Sequence, residues 1–378
     1  MRIVFCIYDF VDAKLPLQPW LSMSKLATAL ASKGHSVSML TDVADPARIE
    51  GATSYSVTSL RGSNGPEVRK ALSRLNPEAL VFLPTPLNIA TASWLDGLDC
   101  RRIGFASFSY YNAVELGIAM RRLPWREVRQ YARHLLVPGP LWKRAMRRRL
   151  QALVTQSETT ADRLGTLLGG NPPALCIPPG IDLSAWPPRR DPMPAAKQNS
   201  IRLLYLGAAT RIRGFEIALD AMNRVTHPGV RLRILARGAN AQTTASIESE
   251  LTRRGLEQRI SLEGGWIERD KLVAEIHAAD AVLQPFVLVP SELPVTAMEV
   301  IACGTPVIGS RIDGLPSTIG PAGTVAAQGD ARNLATAIDQ FATDAEMHSR
   351  WRVGCLRQRA AMLSWDAVAS RWEDVLHG

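Results

Sequence analysis

The stretch Pro294-Val295-Thr296-Ala297-Met298-Glu299-Val300-Ile301-Ala302-Cys303-Gly304-Thr305-Pro306-Val307-Ile308-Gly309 reads as a helix, a tight glycine turn and a buried strand. One acid, Glu299, sits inside this otherwise apolar helix. A carboxylate in such a place is costly unless it has a partner or a ligand. A pair of sugar hydroxyls is one fitting ligand, because an ionised carboxylate accepts two hydrogen bonds from a diol. A solvated helix position, or a carboxylate capping a nearby loop, also accounts for the residue taken alone.

Working outward, short apolar runs alternate with longer amphipathic segments. Strands are expected at Arg2–Tyr8, Ser36–Thr41, Ala79–Pro84, Arg102–Ser107, Ala152–Gln156 and Ala174–Pro178, then at Ile201–Gly207, Val230–Ala236, Arg259–Glu263, Ala281–Phe286 and Thr305–Gly309. Helical periodicity fills most gaps, as in Leu21–Lys33, Ser157–Leu168, Phe215–Val225 and Arg269–Ala279. Repetition of strand and helix at this spacing predicts α/β architecture with parallel sheets covered on both faces. The two halves predict two doubly wound domains. Residues 186–200 carry four prolines and no periodicity, as expected of a stiff linker. The domains are then 1–185 and 201–362, with a last helix over 363–378.

The chain has 378 residues, 46% hydrophobic and 21% charged, which fits two globular cores and excludes a disordered protein. Cys6, Cys100, Cys176, Cys303 and Cys355 are scattered without metal-ligand spacing, so reduced core thiols and no metal site are expected. Met1 to Tyr8 is apolar but stops at Asp9 without a cleavage site, which predicts a first strand rather than a secretory leader. The net charge of +9 is uneven. Residues 121–150 hold ten basic residues against one acid, Glu127, so this segment alone supplies +9. That asymmetry points to a local anionic partner and away from nucleic acid.

Several motifs together resemble the retaining GT-B glycosyltransferases of the bacterial glycosyltransferase family 4 type, the group 1 glycosyl transferases. Glu299-Val300-Ile301-Ala302-Cys303-Gly304-Thr305-Pro306-Val307 is similar to the second acid and the glycine-proline tail of the family's E-x7-E signature. The first acid belongs at Ser291, and Glu292 stands one place out of register. Leu203 to Phe215 resembles the strand and G-R-x4-K-G loop that grips a donor diphosphate. Arg213 matches the lysine, Ala208 replaces the arginine, and Arg211 is a substitute for it. Gly264-Gly265-Trp266-Ile267 resembles the loop that meets the nucleotide base, with core packing the alternative for Trp266. Asp313-Gly314-Leu315-Pro316, Pro179-Gly180-Ile181-Asp182 and Ser364-Trp365-Asp366 match further family turns.

The resemblance implies two Rossmann-like domains facing a central cleft, with the nucleotide sugar on the second. Donor contacts then fall to Glu299, Arg213, Arg211, Gly207, Trp266, Ile267 and the backbone of Leu293, Pro294, Val295 and Thr296. Glu292 and Arg213 are the candidate catalytic groups, with Asp9, at the end of the first strand, a general base if the reaction inverts. Solvated acid at a helix start is the plain alternative for Glu292. Positive groups replace a metal at the leaving diphosphate, so neither metal nor cofactor is expected. Trp142, Lys143, Arg144, Arg147 and Arg148 are expected on a basic amphipathic helix facing an anionic membrane or a lipid-linked acceptor, with a solvated basic helix the alternative. The implied function is transfer of a sugar from a nucleoside diphosphate to an acceptor hydroxyl in surface-glycan or natural-product synthesis. The location implied is cytoplasmic, with peripheral attachment to the inner membrane face. A non-catalytic nucleotide-sugar-binding subunit, or an epimerase or hydrolase on the same fold, is the alternative.

Overall fold

Strand β1, Arg2–Cys6, shows why the first sheet forms. Its residues alternate between two apolar layers, as the two-residue period of a strand requires. Ile3 and Phe5 pack with the helix Trp20–Ser32 and with Val368, Ala369 and Trp372 of the last helix. Val4 and Cys6 pack on the opposite face with Val68, Leu72 and Trp94. Burial on both faces is the mark of a parallel sheet. The computed structural model describes residues 1–60, 64–189, 200–289 and 291–378.

The chain divides into two compact units, 1–111 with 129–180 and 363–378, and 112–128 with 181–362. The first unit holds β1, β2 (Ser36–Thr41), β3 (Ala52–Ser56), β4 (Ala79–Phe82), β5 (Arg101–Phe105), β6 (Ala152–Thr155) and β7 (Ala174–Cys176). They pair in the order β3-β2-β1-β4-β5-β6-β7, all parallel. The last helix, Trp365–His377, belongs to this unit. Trp372 meets Phe105 edge to face at 5.8 Å, and Glu373 pairs with Lys33 and His35, each at 2.9 Å. Gly180 lies so close to Trp365 that a β-carbon there would stand 2.7 Å from its ring.

The second unit holds β8 (Ile201–Gly207), β9 (Val230–Arg237), β10 (Ile260–Gly265), β11 (Ala281–Gln284), β12 (Val307–Ser310) and β13 (Gly323–Ala326). Their order is β10-β9-β8-β11-β12-β13, again all parallel. The order reverses between β8 and β11, the switch point at which such sheets hold ligands beyond the strand C-termini. Gly304 has φ +81 and turns the chain from the helix Val295–Ala302 into β12, as the quoted stretch predicts.

Both doubly wound sheets are present as expected. Two edge strands, β3 and β13, are additions. β3 is Ala-Thr-Ser-Tyr-Ser with no fully buried residue, and β13 has only Ala326 fully buried, so neither carries an apolar run. Residues 112–128 fall in the second unit, which interrupts the expected first domain of 1–185. The expected linker 186–200 lies largely on residues 190–199, outside the described residues.

Candidate donor-binding site on the second unit

β8 ends at Gly207, and the loop 208–214 returns to the helix Phe215–Met222. The loop is pinned to the neighbouring strand end. Gly214, at φ +72, sits where a β-carbon would be 1.7 Å from the Pro285 carbonyl oxygen, and the Val287 amide donates to the Ile212 carbonyl at 3.0 Å. Arg213 is thereby folded back over the strand end. Its guanidinium reaches within 3.0 Å of the place a Gly207 β-carbon would take, and lies 5.8 Å from the centre of the Phe286 ring. A planar cation with backbone at its side suits phosphate oxygens. Arg211 is differently placed. It is exposed, with Nε 3.1 Å from Glu216 Oε1, so its charge is partly matched within the unit.

β9 ends at Arg237, whose guanidinium stacks over Trp266 at 4.6 Å from the ring centre. Trp266 is 71% exposed, which removes the core-packing alternative, whereas the Ile267 side chain is buried. Arg237 also acts on Glu299. The Glu299 carboxyl is pushed up to about 7 by burial, and Arg237 and Arg269 pull against that rise. No side-chain hydrogen bond or ion pair reaches Glu299 among the described residues.

The helix bearing Glu299 starts at Val295 after Pro294, and no side chain caps it. The amides of its first turn therefore carry the positive end of the helix with no cap from Pro294. Leu293 is buried, while Val295 and Thr296 are half-buried. Glu292 is 0% exposed, so the reading of it as a solvated acid is wrong. Its carbonyl accepts from the Gly314 amide at 3.3 Å, which ties this loop to Asp313, a buried acid at φ +44. Gln284, at the end of β11, is 2% exposed, and neither of its amide atoms has a hydrogen-bond partner. Buried polar atoms of this kind are normally satisfied, so water or a ligand is expected beside them. Among the described residues no cluster of acids, histidines or cysteines is arranged to hold a metal ion.

Three of these residues were missed in the sequence. Arg237 and Gln284 are strand-terminal polar residues, and position at the carboxyl end of a parallel strand was the available signal. Arg269 opens a helix and carried none.

In the first unit, Asp9 follows β1 in the left-handed region at φ +53. It is exposed, takes the Lys14 ammonium at 3.0 Å, and its amide donates to Asp42 Oδ1 at 2.8 Å. The basic helix Gly139–Arg149 corrects an expectation. Trp142 is 1% exposed and packs with Tyr110 in the core, so it is no membrane-facing residue. Arg147 donates twice to the Leu168 carbonyl, at 3.0 and 2.8 Å, and Arg148 pairs with Asp96. Arg149 is buried and forks onto Asp96 at 2.9 and 3.0 Å, holding that carboxyl well below its usual range. Lys143 and Arg144 stay at the surface. Three arginines of the run, Arg147, Arg148 and Arg149, thus fasten this helix to its neighbours.

Comparison with known proteins adds the family. Residues 200–344 match the family model described as Glycosyl transferases group 1. That stretch resembles a group 1 glycosyl transferase domain. The chain is 31% identical to glycogen synthase of Mycobacterium tuberculosis over 234 residues, 59% of this chain and 53% of that one. It thus spans about half the length of the curated relative it matches. Among solved structures, sucrose-phosphate synthase of Thermosynechococcus elongatus superposes with a TM-score of 0.74 at 20% identity, over 99% of this chain and 98% of that chain. HepE of Anabaena, solved in complex with UDP, superposes at 0.72 and 14% identity over 100% of both. These likenesses show the fold, two Rossmann-like parallel-sheet domains. The matched stretch contains Arg213, Arg237, Trp266, Gln284, Glu292 and Glu299.

Proposed function

We propose that the protein is a glycosyltransferase whose group 1 domain binds a nucleoside diphosphate sugar and passes the sugar to an acceptor hydroxyl with retention. Glu299 is the observation that carries this reading. It is a half-buried carboxyl on which Arg237 and Arg269 act, Arg237 in turn stacks on the exposed Trp266, and no side-chain partner reaches it among the described residues. The ribose diol donates to it, and the base lies against Trp266. Arg213, lying against Gly207, and the uncapped amides of Val295 and Thr296 take the diphosphate as it leaves, so negative charge is neutralised without a metal. Glu292, buried with Asp313, lies close to the sugar. The UDP bound by HepE and the family of residues 200–344 support a nucleotide sugar as donor.

The acceptor surface is less defined by chemistry. Leu135, Leu136 and Leu141 are exposed near Lys143 and Arg144, which supports peripheral contact with a lipid surface in place of the Trp142 contact. Incubation with UDP-, GDP- and dTDP-sugars, with release of nucleoside diphosphate as the readout, tests the activity. Slow release from one donor without acceptor is expected. Tight binding with no release from any donor, with or without acceptors, would indicate a binding subunit instead.

A further inference from the structure

The second unit carries a second concentration of positive charge, outside the site above. An open depression of about 430 Å³ is lined by Arg121, Arg122, Gln328, Asp330 and Arg332. Its walls come from distant parts of the sequence and are held together. The Gln328 amide donates to the Glu115 carbonyl at 3.2 Å and to the Val287 carbonyl at 2.7 Å, which fastens the helix Ala113–Met120 to the turn before the helix Ala331–Thr343. Gly329, at φ +67, lets that turn close on Ile118, 3.4 Å from where its β-carbon would stand. The three arginines are therefore presented by packed backbone.

Charge balance singles out this depression. The one acid lining it, Asp330, caps the next helix: its Oδ1 accepts from the Arg332 and Asn333 amides at 2.9 and 3.0 Å. Arg121 and Arg332 make no side-chain hydrogen bond or ion pair among the described residues, and Arg122 only approaches Asp220 at 3.9 Å. A neighbouring depression of about 200 Å³ shares Arg121 and Arg122 and reaches Arg211, but Glu216 and Asp220 line it as well. The excess of positive charge thus lies on the Arg332 side. Three arginines against one lining carboxylate leave a net positive surface that attracts an anion.

We infer that this pocket binds the phosphate of a small phosphate monoester, through Arg121, Arg122 and Arg332. A dianion with three acceptor oxygens matches several guanidinium forks. The pocket shares no lining residue with the nucleotide site proposed above, and its occupancy is measurable whether or not a nucleotide binds.

Calorimetric titration of the full chain with glycerol 3-phosphate, in saturating UDP, tests this. One site is expected, with no heat from glycerol. Arg121→Gln and Arg332→Gln should each weaken binding about tenfold, the scale of one charge-assisted hydrogen bond. Arg357→Gln, an exposed arginine elsewhere, should leave it unchanged. All three side chains are exposed, so unliganded melting temperatures should match the parent. A parallel arm with monomeric dihexanoyl phosphatidic acid separates sources: preference for it assigns a lipid phosphate, and preference for glycerol 3-phosphate a soluble one. Full affinity in R121Q and R332Q, equal loss in R357Q, or displacement by UDP would overturn the site. UDP titrated alone reads the donor site, so its failure there leaves the phosphate result standing.

Discussion

The guanidinium of Arg213 lies against Gly207, within 3.0 Å of the position a β-carbon would occupy, and Gly207 itself has φ +139. Backbone and cation thus form one surface at the switch point between β8 and β11. Gly207→Ala adds a methyl group to that surface and a strained backbone. It should cost roughly 1–2 kcal/mol of stability and weaken nucleotide binding more than this loss alone implies. Melting curves and titration of UDP on the same preparation check both.

Glu299 makes a prediction about pH. Its folded-state value, about 7, lies above the ordinary glutamate value of 4.5. A raised carboxyl adds stability that is fully present below pH 4.5 and is lost as pH rises through about 7. Glu299→Gln should therefore stabilise the unliganded protein at pH 8, by at most about 3 kcal/mol, and have little effect at pH 4.5. Binding of a ribose diol favours the ionised form, so nucleotide binding near pH 7 should release a proton. Calorimetry in buffers of different ionisation enthalpy measures that release.

Trp266 is exposed and stacked with Arg237, so its removal should separate function from folding. An exposed cation–π pair is worth about 0.5–1 kcal/mol. Trp266→Ala should change the melting temperature by only a few degrees and lower nucleotide affinity clearly. Unchanged affinity would remove Trp266 from the site.

The loop before the helix Phe215–Met222 has a different vulnerability. A β-carbon at Gly214 would collide with the Pro285 carbonyl oxygen. Backbone cannot yield as a side chain can, so Gly214→Ala should destabilise by about 2–4 kcal/mol, visible as a lowered denaturation midpoint.

The basic helix gives a contrast between neighbours. Removing Arg149 takes two charge-assisted hydrogen bonds from Asp96, which keeps Arg148, at a cost of about 1–3 kcal/mol. Arg144→Ala, at the surface, should cost almost nothing. Urea denaturation of both variants measures the difference, and equal costs would contradict the structural role of Arg149.

These residues also show what the sequence disclosed. Strong apolar runs such as Ile3–Cys6 and Val307–Ile308 announced the central strands, because burial on both faces leaves little room for polar residues. Edge strands β3 and β13 went unseen for the converse reason. Glu299 was legible as an acid in an apolar helix, and Arg213 as a cation before a helix-opening glycine. Arg237 was not, since its partner Trp266 is contributed by the end of another strand. The charge run over 121–150 misled because helical spacing shows which residues share a face, but not which face the protein covers. Trp142 went inward, Arg147 to Arg149 found carbonyls and Asp96, and Arg121 and Arg122 joined the other unit.

The central claim is that Glu299 holds the donor nucleotide. Titrating the parent protein and Glu299→Ala with UDP-, GDP- and dTDP-sugars at pH 8, with melting temperature as a control for folding, tests it most directly. At least a tenfold loss of affinity for the preferred nucleotide is expected in a variant that melts no lower than the parent. Equal affinity in the two proteins would contradict it.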